Sequence, residues 1–249
     1  MTGTRKVLLF TDSTVFGEDI ADSLSSAGLV DEVYVQASPA GYRLRRYLKD
    51  LSSIRGIKHR AVDLVDRINR PGRKMSLDVG SSRLRKWVGV PFKQFSELRT
   101  ELAADDAVVV VYGTRIVPSW LYKGAFQTIN VQWGLSPYYR GVLCTDWAVL
   151  NGDLRNIGFT LHGLSGAADG GPIITQGRVT LEPGDTIGSI TTRIHWLAKR
   201  ALLQAVPAAR RHKLSSTKQD LSIGRNYRGI DWSVRTSIKL KSLTPISKR

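Results

Sequence analysis

The sequence predicts an α/β domain built on a mostly parallel sheet with helices on both faces. Three observations lead there. Short apolar runs alternate with amphipathic stretches through the first half of the 249 residues. The run at 107–112 (AVVVVY) is apolar at successive positions rather than alternate ones, the pattern of a strand covered on both faces. Successive strands separated by helices pair in parallel through right-handed crossovers.

The first strand is read at 6–11 (KVLLFT), an apolar run before a polar turn. Residues 17–27 (GEDIADSLSSA) place Ile20, Ala21, Leu24 and Ala27 on one helical face, and Gly28 supplies the stop. Residues 31–37 (DEVYVQA) alternate and are rich in β-branched side chains, which predicts the second strand. Residues 41–51 (GYRLRRYLKDL) predict a strongly basic helix with Leu44, Leu48 and Leu51 on one face. The stretch 57–90 holds a Pro71-Gly72 turn signal among many arginines and reads as an insertion or loop. A helix is expected at 95–104, with Ser96 placed to cap it. Strands follow at 107–112 and 125–131 (AFQTINV), a helix at 144–150, and strands at 157–161 (IGFTL) and 173–181 (IITQGRVTL). A long amphipathic helix is expected at 186–206, ended by Pro207. The expected division is a domain over 1–206 and a short basic C-terminal extension over 207–249.

A hydrophobic content of 42% is enough for one sizeable core. No apolar run approaches the ~20 residues that span a bilayer, and the chain turns polar at Thr11 without a signal-peptide pattern. A cytoplasmic protein is expected. The single cysteine, Cys144, forms neither an internal disulfide nor a thiolate cluster, and no base can be placed beside it to make it a nucleophile. Four scattered histidines offer no metal-ligand spacing, so no metal is expected. Of these, His59, His195 and His212 read as structural or solvated.

The net charge of +16 is concentrated in two stretches. Residues 43–93 carry fifteen Lys/Arg against four Asp, and residues 206–249 carry eleven against two, which leaves the rest of the chain slightly acidic. This reads either as a surface for phosphate-bearing partners, such as a nucleotide-linked substrate, nucleic acid or an anionic membrane, or as solvated faces. Arg43, Arg45, Arg46 and Lys49 form one candidate phosphate patch.

Ligands of parallel α/β sheets bind beyond the carboxyl ends of the strands. That rule points to 113–118 and 130–141. No GxGxxG fingerprint follows the first strand, where the chain reads Phe10-Thr11-Asp12-Ser13, so a dinucleotide cofactor is not predicted. The second region is a polar, Gly- and Pro-punctuated segment, Asn130-Val131-Gln132-Trp133-Gly134-Leu135-Ser136-Pro137-Tyr138-Tyr139-Arg140-Gly141, suited to present amide side chains at a strand tip. Tyr138 and Tyr139 read equally as stacking or packing residues. Farther on, His162 follows an apolar strand, and Asp169-Gly170-Gly171-Pro172-Ile173-Ile174 puts a carboxylate on a turn before another.

These motifs, in this order and at these spacings, resemble the formyltransferases that use 10-formyltetrahydrofolate. That family includes the glycinamide ribonucleotide, methionyl-tRNA and amino-sugar enzymes. The resemblance covers 107–206 most clearly; the phrase Gly224-Arg225-Asn226-Tyr227 with Asp231-Trp232 also looks like a short ending of the sugar-type members. It implies a Rossmann-like formyltransferase sheet. It also implies that Asn130 donates to the oxyanion formed when an amine attacks the formyl carbon. Asp169 then assists proton transfer. His162 sits near the folate, Arg115, Ile116 and Val117 contact the pterin, and Leu135, Ser136, Arg140 and Gly141 shape the loop. One departure stands out: where the family reads Asn-x-His, this chain has Asn130-Val131-Gln132. A glutamine amide can hydrogen-bond but cannot titrate. Gln132 could thus help Asn130 hold the formyl oxygen, but it cannot move a proton.

The expected reaction is formyl transfer from 10-formyltetrahydrofolate to a primary amine on a small phosphate-bearing molecule such as a nucleotide-linked amino sugar. Two alternatives stay open: a catalytically impaired relative that binds ligand or assembles complexes, and a basic nucleic-acid-binding module. The segment after Val206 reads as too short for the second domain with which methionyl-tRNA formyltransferases hold tRNA, so a small-molecule amine is expected rather than tRNA.

Overall fold

The computed structural model describes residues 5–36, 92–94 and 106–246. The helices expected at 41–51 and 95–104, the segment 57–90 and the patch at Arg43, Arg45, Arg46 and Lys49 lie outside the described residues.

Strand β1 (Val7–Asp12) is buried at five of its six positions. Helix α1 (Val15–Ser26) begins two residues earlier than the periodicity suggests, because the Thr14 hydroxyl caps it by accepting from Gly17 N. Gly28, at φ +65, stops it, donating to Ser25 O while Leu29 N donates to Leu24 O. Then come β2 (Glu32–Gln36), β3 (Phe92–Gln94), β4 (Val108–Tyr112), the short α2 (Trp120–Lys123) and β5 (Gln127–Gln132). The second half holds β6 (Tyr139–Gly141), α3 (Cys144–Leu150), β7 (Gly158–His162), β8 (Ile173–Arg178), α4 (Ile187–Arg211), β9 (Arg225–Tyr227) and α5 (Val234–Ser242).

The main sheet has the order β3-β2-β1-β4-β5-β7-β8. Pairing is parallel from β3 through β5, β7 is antiparallel to β5, and β8 is antiparallel to β7. Only β7 therefore runs against the others. Alternate side chains feed two cores. Val7, Leu9, Val108, Val110 and Ile129 pack with α1 and α4 on one face. Leu8, Phe10, Tyr34, Val109 and Val111 pack with Leu121 of α2 on the other. This double burial is why the strands read as continuous apolar runs.

β8 ends three residues short of the expected 181, and the end of α4 differs from expectation by more. Helix α4 does not stop at Val206 but continues through Pro207 to Arg211. A proline inside a helix costs about 3 kcal/mol. Val206 and Ala209 on either side of it are fully buried, and burying a valine side chain alone returns about 1.5–3 kcal/mol. The residues that follow are packed too. Tyr227, Trp232, Leu240 and Ile246 join the core on the α1/α4 face, and β9 pairs with β6 in a second, two-stranded parallel sheet. Among the described residues no helix is long and apolar enough to cross a membrane.

Candidate active site

Sheet register assembles the central residues. The antiparallel pairing of β5 with β7 sets Asn130 opposite His162 and Gln132 opposite Thr160. Asn130 Nδ2 lies 3.0 Å from His162 Nε2 and 3.5 Å from Asp169 Oδ1. The other ring nitrogen, His162 Nδ1, lies 2.7 Å from Gly163 O. That carbonyl can only accept, so the proton belongs on Nδ1, and Nε2 receives an Asn130 N–H. His162 Nε2 and Asp169 Oδ1, 3.6 Å apart, are then two acceptors sharing one amide donor.

Asp169 is held from three sides. Its backbone takes the left-handed conformation, φ +49, which aspartate tolerates better than most residues. Its Oδ2 accepts from Gly141 N at 2.8 Å. Its carbonyl accepts from the buried Gln219 amide at 3.0 Å. Gly141 in turn sits at φ +87 with no room for a side chain, because a Cβ would collide with the Tyr227 carbonyl of β9. Neither Gln219 nor the Gly141–Asp169 bond carries a local sequence signal; both join segments far apart in the chain.

Gln132 serves as a brace. Its Nε2 donates to Gly141 O at 2.8 Å and to Cys144 Sγ at 3.2 Å, tying the end of β5 to β6 and to the start of α3. The N–H groups of both site amides therefore already face protein acceptors. The longest of these contacts, Asn130 to Asp169, is the weakest of them. Burial pushes the Cys144 thiol well above its ordinary pKa, which leaves it a packing residue.

The loop residues divide by burial. Leu135 and Ser136 are buried; Ser136 N donates to Thr160 Oγ1 at 3.0 Å and Ser136 O accepts from Gln176 at 2.7 Å. Arg140 is buried and donates to Leu221 O. Beyond β4, Val117 packs into the α2-side core, whereas Ile116 is 91% exposed and Arg115 is exposed, its N–H donating to Gln36 Oε1.

A cavity of about 930 Å³ opens beyond the ends of β1, β4 and β5, lined by Asp12, Tyr112, Gln132, Trp133 and Asp146 among others. Of the residues given a site role from the sequence, Gln132 and Gly141 line it; Asn130, His162 and Asp169 are not among its walls. Burial raises the Asp12 carboxyl above its ordinary pKa, a rise that hydrogen bonds from Thr14 only partly oppose. Behind Tyr112, its hydroxyl meets His195 Nδ1 at 2.8 Å, and His195 Nε2 meets Asp19 Oδ2 at 2.6 Å. Lys199 completes the group, 2.7 Å from the same oxygen. His195 is thus a buried structural histidine, stacked on Phe16, and His212 is exposed.

The Formyl transferase family model matches residues 5–206. The chain belongs to the formyl transferase family. It is 30% identical over 171 residues to a methionyl-tRNA formyltransferase of Desulfotalea psychrophila, covering 62% of this chain and 52% of that one. It is 33% identical over 112 residues to the methionyl-tRNA formyltransferase of Pelotomaculum thermopropionicum, covering 45% and 36%. The match thus spans about half, or less, of these curated relatives. Among solved structures, a sugar N-formyltransferase from Shewanella superposes with a TM-score of 0.61 at 17% identity, covering 97% of this chain and 89% of that one. Phosphoribosylglycinamide formyltransferase from Streptococcus pneumoniae gives 0.54 at 19% identity, covering 82% and 98%. A sugar 3N-formyl transferase solved in the presence of dTDP and 5-N-formyl-THF gives 0.65 at 12% identity, covering 96% and 80%. At such identities these likenesses establish the fold.

Proposed function

We propose that this chain transfers a formyl group from 10-formyltetrahydrofolate to a primary amine on a nucleotide-linked amino sugar. The observation that carries the reading is the convergence of Asn130, His162 and Asp169 within hydrogen-bonding reach at the carboxyl end of the sheet. The folate would supply the formyl carbon. The exposed apolar side chain of Ile116, beside the end of β4, suits the face of its pterin ring. Of the residues expected on the folate side, Arg115, Ile116 and Val117 would line it, while Leu135 and Ser136 would fix the loop behind.

Asn130 would turn one N–H from Asp169 to the formyl oxygen as negative charge grows there, which supplies electrostatic stabilisation. Asp169, relieved of that donor, becomes a better proton acceptor for the attacking amine, with His162 Nε2 beside it as a second acceptor. As the new C–N bond formed, the amine would pass its proton to Asp169, and the breaking bond from the formyl carbon would leave its electron pair on the folate nitrogen, which would take up that proton. Gln132 contributes through its hold on Gly141, whose N–H orients Asp169.

The sugar acceptor is proposed because sugar N-formyltransferases align along nearly the whole of this chain. A second reading, a ligand-binding relative without turnover, is favoured by the engagement of Gln132 with Gly141 and Cys144. Calorimetry with 5-formyltetrahydrofolate on wild type, Arg115→Ala and Ile116→Ala, followed by mass spectrometry of dTDP- and UDP-linked amino sugars incubated with 10-formyltetrahydrofolate, separates them. Folate binding weakened by both variants, together with a formylated sugar, supports the enzyme. Folate binding without product supports the second reading, and no folate binding refutes both.

A further inference from the structure

The 930 Å³ cavity lies at the upper end of the roughly 300–1,000 Å³ typical of small-molecule sites, so it has room for more than a reacting amine. Besides the ends of β4 and β5 and the start of α3, its walls include the β1–α1 turn, the start of α4, and the C-terminal segment containing Leu240, Lys241, Thr244 and Pro245. The lining carries charges of both signs. Asp12, at the end of β1, and Asp146, in α3, supply the carboxylates. Lys241 is the one Lys or Arg lining the cavity among the described residues.

The turn after the first strand of an α/β sheet is where backbone N–H groups commonly cradle phosphate. Here Asp12 occupies that turn. Its carboxylate accepts from Thr14 N and Oγ1 and fills the space next to the glycine at 113. A carboxylate at that position repels a phosphate group. For an acceptor carrying negative charge, the complementary charge in the lining, among the described residues, is Lys241 of the C-terminal wall. That wall is anchored: Ile246 N donates to Asp185 O at 2.7 Å, Gly184 N donates to Ile246 O at 3.1 Å, and Leu240 is buried. Lys241 itself makes no ion pair among the described residues, unlike Lys6 and Lys199, which are paired with Glu32 and Asp19.

We infer that the C-terminal wall selects the acceptor, with the Lys241 ammonium binding the diphosphate of a nucleoside-diphosphate-linked substrate in this cavity. The inference rests on the formyl-transfer reading for the identity of the acceptor, and its own prediction is anion binding at Lys241. Lys239 is the natural control. It shares the last turns of α5 and its favourable place near the helix C-terminus, is exposed, and does not line the cavity.

The test is calorimetric titration of UDP and of dTDP into the full chain saturated with 5-formyltetrahydrofolate, for wild type, Lys241→Ala, Lys241→Glu and Lys239→Ala. Charge-assisted contacts at a partly exposed site predict about a tenfold loss of nucleotide affinity in Lys241→Ala. A larger loss is expected in Lys241→Glu and none in Lys239→Ala, with 5-formyltetrahydrofolate affinity equal in all four. Equal nucleotide affinity in Lys241→Ala and wild type would overturn the inference. So would the absence of saturable binding of either nucleotide to a wild type that still binds the folate. Loss of folate binding in wild type would instead strike the formyl-transfer reading, and the nucleotide titrations without folate would then decide on Lys241.

Discussion

Asp169→Asn is the substitution that best isolates the proposed chemistry from the fold. Asparagine tolerates the left-handed backbone at this position, so φ +49 imposes little new strain. The side-chain shape is kept, but one oxygen becomes an NH₂. The carboxylate now accepts from Gly141 N at 2.8 Å through Oδ2 and faces Asn130 Nδ2 at 3.5 Å through Oδ1. The shorter bond will dictate the orientation: the amide oxygen turns to Gly141 and the NH₂ confronts the Asn130 amide. A donor left facing a donor costs about 1–3 kcal/mol, and here the milder end applies because the contact is long and half-buried. The protein should therefore remain folded with a modest loss of stability. The amide accepts no proton, so the general-base contribution of about 10²–10⁴-fold, or roughly 3–5 kcal/mol of barrier, should vanish from kcat. The assay is steady-state formylation alongside calorimetric 5-formyltetrahydrofolate binding. A variant that binds folate like wild type and turns over within a few-fold of it would refute the assigned role of Asp169.

Three further outcomes are expected. Gln132→His puts a titratable ring where only an amide stands; it should raise kcat by at least about tenfold near neutral pH if proton transfer limits turnover, and an unchanged pH–rate profile would contradict that. Gly141→Ala drives a methyl group into the Tyr227 carbonyl at φ +87, so a loss of several kcal/mol, on the order of other buried steric conflicts, should appear as a lowered urea midpoint, and a wild-type midpoint would count against the described β6–β9 contact. Acidification should weaken the fold through the Asp19–His195–Lys199 group. Burial lowers His195, and although burial alone would raise Asp19, its hydrogen bonds to Lys199 and His195 bring it below the ordinary carboxylate range. Both groups bind fewer protons folded than unfolded, so stability is lost as pH falls below about 6.5 for the histidine and again below about 3.9 for the aspartate. His195→Gln should flatten the urea midpoint between pH 7.5 and 5.5, and parallel profiles for the two proteins would exclude His195 as the cause.

The parts of the fold that were legible in sequence are those where neighbouring residues decide the outcome. β4 announced itself because five successive positions are buried, and Gly28 ended α1 because only its local conformation mattered. Pro207 misled for the converse reason. Its local penalty is real, but the core beneath Val206 and Ala209 outweighs it, and burial at that distance leaves no mark on the proline itself. The site divides the same way. The motif pattern pointed to Asn130, His162 and Asp169, which the β5–β7 register and the loop after β7 bring together. Gln219, the Gly141–Asp169 bond and the pairing of Asp12 with the C-terminal wall across one cavity join segments dozens to hundreds of residues apart. No periodicity within a window reports such meetings.

The pairing of β6 with β9 has a consequence for anyone who would cut the protein down. The span matched by the family model, 5–206, contains all seven strands of the main sheet. A fragment ending there would interrupt α4 mid-turn. It would also strip away the carbonyl of Tyr227 that leaves Gly141 no room to move, and the Gln219 amide that grips the backbone at Asp169. Such a piece could keep its sheet and its recognisable signature and still have a carboxylate that points nowhere in particular. On the proposed mechanism, the smallest active unit is then longer than the smallest recognisable one.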